Sequence, residues 1–174
     1  MQPLREYSTL HGKELAKRFY VTGEELYYLA SQKPLEFKQS LAIFVSATNL
    51  AFSAEISLKL LIQEESKKAK KVHDLLKLFK QLESKTQNRI INSTKIILSE
   101  KFRREYSEDE FFKDLEDSKD NFTNARYMFQ QITKGPFSMK FAFLRHFSDN
   151  LLALVDEIKD DAEYIVDSVK RKDL

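Results

Sequence analysis

Glycine and proline are nearly absent from this chain: three of each stand among 174 residues, against roughly 12% for the pair in an average protein. Sheets joined by tight turns need these two residues wherever φ is positive or fixed. The scarcity therefore predicts long helices. No two glycines lie close enough together to form a GxGxxG or GxxxxGK phosphate loop. With 42% apolar and 32% charged residues the chain can build a core. The expected fold is all-α, an up-and-down bundle of five to six helices. It is expected as one domain over 1–174, with 1–12 as a disordered tail and 138–170 as one long C-terminal helix.

The absence of cysteine excludes disulfides, thiol nucleophiles, cysteine zinc sites and iron–sulfur ligation in this chain. His11, His73 and His146 form no HExxH and no pair at helical metal spacing, so neither metal nor cofactor is expected. No GxSxG nucleophile elbow occurs either. The first residues carry no apolar run of signal-peptide length, and the longest uncharged stretch, 39–54, covers 16 residues and holds several polar ones. The expected compartment is the cytoplasm, with no membrane span.

The first helix is expected over Lys13–Gln32, with Leu15, Phe19, Leu26 and Leu29 on its core stripe. Pro34 suits the first turn of a second helix reaching Lys68. Its apolar residues (Phe37, Leu41, Phe44, Val45, Leu50, Phe52, Ile56, Leu58, Leu61) surround the axis, which is the pattern of a central bundle helix. A loop or frayed end follows at Lys67, Lys68, Lys70 and Lys71, then a short helix capped by Asp74 or by His73 before it. Two capping boxes, Ser84-x-x-Gln87 and Ser107-x-x-Glu110, open a fourth helix and a fifth. The fifth carries its stripe through Phe111, Leu115, Phe122, Phe129 and Ile132 until Gly135-Pro136 stops it. In the last helix, positions 141, 144, 148, 151, 155, 158, 162, 165 and 169 are apolar at eight of nine places.

Net charge is only +2, but it is unevenly spread: nine Lys/Arg face four acids over 59–89, while acids outnumber bases over 100–124 and 149–174. The basic stretch reads either as a solvated helix face or as an anchor for phosphates. Glu55 falls on the stripe of Phe44, Ala51, Leu58 and Ile62, where a carboxylate is expensive unless paired. Lys59 stands one turn on, in the favourable order. Arg126, beside Tyr127 and one turn from Phe122 and Phe129, is a second candidate partner, or an arginine laying its stem on apolar surface.

The pieces Ala54-Glu55-Ile-Ser-Leu58-Lys59-Leu-Leu61, His73-Asp74-Leu75-Leu76-Lys-Leu78 and Asn121-Phe122-Thr-Asn-Ala-Arg126-Tyr127 resemble, in this order, the A-x-E-x-x-L-K-x-L-L, H-D-L-x-x-L and F-x-x-x-R-Y segments of the HEPN superfamily. The resemblance spans residues 41–132. It implies a helical bundle, often dimeric, and divides in function. Some members are ribonucleases with an R-x(4–6)-H motif near the start of a late helix. Others bind nucleotides, partner nucleotidyltransferases, or act in toxin–antitoxin and phage-defence systems. Here Arg5…His11 is the only match to that spacing, and in the late helix Arg145 and His146 are adjacent. The expectation is a non-catalytic binding module for a nucleotide, RNA or a nucleotidyltransferase-type or toxin–antitoxin partner protein, forming a homodimer. Its site is Glu55, Lys59, His73, Asp74, Arg126 and Tyr127, and its basic patch is Lys67, Lys68, Lys70 and Lys71. A structural or oligomerisation protein, and a metal-independent ribonuclease, are the alternatives.

Overall fold

The structure, a computed structural model, describes residues 8–31, 37–65, 68, 71–119 and 140–159. Among them are six helices and no strand: α1 Thr9–Ser31, α2 Phe37–Glu64, α3 Leu75–Phe79, α4 Ser84–Phe102, α5 Glu108–Ser118 and α6 Phe141–Asp156. The all-helical bundle expected from the glycine and proline count is what forms. Helix α1 begins at Thr9, inside the stretch read as a tail.

Helices α2 and α6 lie at the centre. Helix α2 packs on α1, α3 and α6, and α6 also touches α1, α4 and α5. Across the seam between α2 and α6 the buried Ser148 hydroxyl donates to the Leu50 carbonyl at 2.9 Å. That bond removes the penalty of the one polar residue in the α6 stripe. Helix α4 runs antiparallel along α6, held by Asn150 to Thr94 at 2.9 Å and by the Arg89–Glu157 ion pair. Where α3, α5 and α6 meet, Phe79, Phe111, Phe143 and Phe147 are all buried.

Helix α2 is long and apolar enough over Ala42–Glu64, by length and composition, to cross a membrane, which the uncharged stretch alone did not suggest. Two-thirds (67%) of its most apolar 18 residues are buried inside the bundle, as befits the central helix.

The expected face of α1 is half right. Phe19 and Leu26 are half-buried, with Phe19 stacked on Phe52 of α2 at 5.1 Å, but the helix fully buries Thr9, Ala16, Gly23 and Ala30, while Leu15 is 48% and Leu29 64% exposed. Small residues at sevenfold spacing let α1 lie close against the bulky face of α2. A Cβ on Gly23 would stand 2.9 Å from Leu50 Cγ and 3.1 Å from the Ser46 carbonyl oxygen, which already accepts no room for adjustment because it belongs to the backbone. The Ser46 hydroxyl in turn donates to the Gly23 carbonyl at 2.6 Å. At Gly12 the same Cβ meets only side-chain atoms of Leu60, the nearest a terminal methyl at 2.8 Å. Gly23→Ala is therefore expected to destabilise by ~1–3 kcal/mol through overpacking. Gly12→Ala should stay within ~1 kcal/mol of wild type, because the helix preference for Ala offsets a movable contact. Urea unfolding of both variants checks the contrast.

Two helices are shorter than their stripes. Helix α5 ends at Ser118, with Lys119 as its C-cap, and not at Ile132. Helix α6 ends at Asp156 and not at Lys170, its last turn tightened by Glu157 and Ile158 amides bonding to Leu154 and Val155 carbonyls. At 1.5 Å per residue α6 is about 24 Å long, so the surplus length expected of it disappears. Phe122, Phe129, Ile132, Gly135-Pro136 and the stripe positions from 162 on lie outside the described residues. The Ser107 capping box forms with both of its bonds. The Ser84 box does not: Glu83 is the N-cap, and Glu65 from the end of α2 accepts from the Glu83 amide at 2.8 Å and the Thr86 hydroxyl at 2.6 Å.

Candidate functional site

Glu55 sits in the middle of α2 and is 5% exposed. Its neighbours along the stripe, Ala51, Leu58 and Ile62, are buried as expected. Two side chains hold its carboxylate. The Lys59 ammonium lies 2.6 Å from Oε1, and His73 Nδ1 stands 3.0 Å from both oxygens. A carboxylate can only accept, so the Nδ1 position carries the hydrogen and the ring is fixed against α2. The lysine side chain is 17% exposed and the histidine 59%. The cluster thus has a buried floor and an accessible edge.

Asp74 serves the scaffold. Its carboxylate accepts from the Lys77 amide at 2.9 Å as the N-cap of α3 and pairs with the Lys77 ammonium at 3.1 Å. Burial works to raise its carboxyl, but those two contacts hold it below the ordinary value. With Leu75 and Leu78 buried directly after it, Asp74 fixes the turn that delivers His73 to Glu55. Lys68 and Lys71 are exposed on the connection between α2 and α3. Arg126, Tyr127, Lys67 and Lys70 lie outside the described residues.

A second polar region, which sequence spacing did not reveal, lies where the C-terminal end of α4, the N-terminal half of α5 and the start of α6 meet. Arg103 takes the left-handed conformation, φ 53°, that closes α4. Arg104 then forks onto Glu110, with Nη2 at 2.6 Å from Oε1 and Nη1 at 3.1 Å from Oε2. The guanidinium pulls the Glu110 carboxyl down to about 2, helped by the Ser107 amide. Tyr106 is buried and donates to Asp114 at 2.6 Å, and Lys140 reaches Asp114 at 3.2 Å. Burial, then the Asp114 bond, push the Tyr106 phenol far above its ordinary value.

Arg145 turns to Glu24 of α1 at 2.5 Å, whereas His146 faces Lys101 of α4 at 3.4 Å. Burial and the Lys101 ammonium hold the His146 imidazole below its ordinary value. Tyr20, between Asp149 and Glu24, is pushed up to about 12 by burial first and by those carboxylates second. Among the described residues no group of three His, Asp or Glu side chains could hold a metal ion. Compared with family models, curated proteins and solved structures, the chain matches none.

Proposed function

We propose that this chain is a HEPN-like, non-catalytic module that binds RNA or nucleotides through phosphate. The observation that carries the reading is the meeting of two sequence pieces. Glu55 and Lys59 belong to the piece similar to A-x-E-x-x-L-K, His73 to the piece similar to H-D-L, and the three side chains join within 3.0 Å. A carboxylate buried in α2 orients an exposed imidazole beside Lys59, and exposed Lys68 and Lys71 extend positive charge along the connecting loop. Cations so placed attract phosphate without reading a base.

Binding without cleavage follows from the late helix. General acid–base work on a phosphodiester needs groups converging on one phosphate, and Arg145 and His146 engage opposite neighbours. The test is a fluorescence titration of a single-stranded RNA at low salt. Lys68→Glu with Lys71→Glu is expected to weaken binding at least tenfold and to lower the salt slope by about 2, while the RNA stays intact. Undiminished binding in that variant, or cleavage by the purified protein, would refute the reading.

The outer face of α1 favours a second property, self-association as a homodimer. Leu15 (48% exposed) and Leu29 (64%) present large aliphatic groups to solvent. Leu15 and Leu29 are equidistant from Thr22, so two α1 helices crossing antiparallel at Thr22 would set each leucine against the other's counterpart. Arg18 and Glu25 are both exposed near that axis, and opposite charges there fix register. Light scattering should give twice 20.5 kDa, and Leu15→Glu with Leu29→Glu should return the monomer. A monomer in the unmodified protein at micromolar concentration would remove the homodimer.

A further inference from the structure

We propose that the cleft between α4, α5 and the start of α6 is a separate ligand site, for an aromatic phosphate of mononucleotide size. None of the residues around Glu55 lines it. The cleft encloses about 530 Å³, within the range of small-molecule sites. Its charges do not balance. The two carboxylates on its wall are already committed, Glu110 to Arg104 and Asp114 to Tyr106 and Lys140. Lys101 and Lys113 remain as surplus cations: both are exposed, Lys113 makes no ion pair among the described residues, and Lys101 has only the 3.4 Å contact to His146. Arg145, on the same wall, keeps a buried Nε donor without an acceptor. An incoming dianion would meet two uncompensated ammonium groups, with the Arg145 guanidinium adding positive charge to the same wall.

The rest of the wall is aromatic. Tyr27 of α1 and Phe141 of α6 stack with centroids 4.1 Å apart and planes at 17°. Phe102, at the end of α4, is 43% exposed and carries the Arg104 guanidinium at 5.8 Å from its centroid. An exposed aromatic face with a cation above it suits a planar heterocycle. Surplus cations and stacking surface thus occur together, which fits a ring and a phosphate on one ligand better than either alone.

Calorimetric titration of the full chain with adenosine 5′-monophosphate, adenosine and inorganic phosphate tests this. The monophosphate should saturate, and each of the other two should bind at least about tenfold more weakly. Lys101→Ala with Lys113→Ala should reduce the monophosphate to the affinity of adenosine, and Phe102→Ala should reduce it to that of inorganic phosphate. These side chains are exposed, so circular dichroism should be unchanged. Lys68→Glu with Lys71→Glu should leave the monophosphate affinity intact, which separates this site from the loop proposed to hold RNA. A 5′-phosphorylated trinucleotide that binds as tightly identifies an RNA end as the source, and weaker binding identifies the free nucleotide. The proposal is overturned if the monophosphate does not saturate, or if both cleft variants bind it as tightly as the unmodified protein does.

Discussion

Phe111→Ala should cost ~3–5 kcal/mol of folding stability, the range for removing a fully buried phenylalanine. The ring is inaccessible to solvent and lies 5.5 Å from Phe79, 5.4 Å from Phe143 and 6.0 Å from Phe147, with edge-to-face geometry to the last two. It therefore joins α3, α5 and α6 through one side chain. Edge-to-face pairs add ~0.5–1.5 kcal/mol each beyond area burial, and the neighbours come from two other helices that cannot both close on the vacated space. For a chain of this length a melt should move down by roughly 2–4 °C per kcal/mol. A urea midpoint within error of wild type would mean that α5 does not share the core.

Lys59→Met is expected to cost ~3 kcal/mol, because it strands a carboxylate that is almost out of solvent. The side chains of Glu55 and Lys59 are 7% and 17% exposed, so water screens this pair far less than a surface one. His73 remains as a partner, but its 59% exposure makes it the weaker anchor, and His73→Ala should cost under about 1 kcal/mol. The informative variant is Glu55→Gln in the Lys59→Met background, which should recover most of the loss because no uncompensated charge is then buried. Equal instability of the single and double variants would show that Lys59 acts through packing alone.

The apolar stripe of α6 was legible because large side chains recur there at threes and fours and every one that the structure describes is buried or half-buried. The Ser107 box was legible because both of its bonds are made within four residues. Helix α1 misled for the opposite reason. Its contact with α2 depends on how little volume Ala16, Gly23 and Ala30 occupy, and periodicity weighted by hydrophobicity selects Leu15 and Leu29. The start of α4 misled because the carboxylate that its first turn bonds, Glu65, lies 21 residues from Thr86 in sequence, beyond any local rule. Glu55 and Lys59 could be paired on helical spacing, whereas His73 enters through a turn that spacing does not describe. The cleft was invisible: Lys101, Lys113 and Lys140 come from separate parts of the chain, and each alone reads as a solvated lysine.

The Tyr106 hydroxyl, closed between the Glu110 carbonyl and the Asp114 carboxylate, gives this protein an optical gauge. The chain has seven tyrosines and no tryptophan, so its near-ultraviolet absorbance and fluorescence belong to phenol rings. A free phenol ionises near pH ~10, whereas burial and the bond to Asp114 hold the Tyr106 phenol far above that. Tyr106 must lose its partners before it can give up its proton. The last step of the phenolate absorbance therefore marks the moment the cleft wall opens, and it can be followed without attaching any dye.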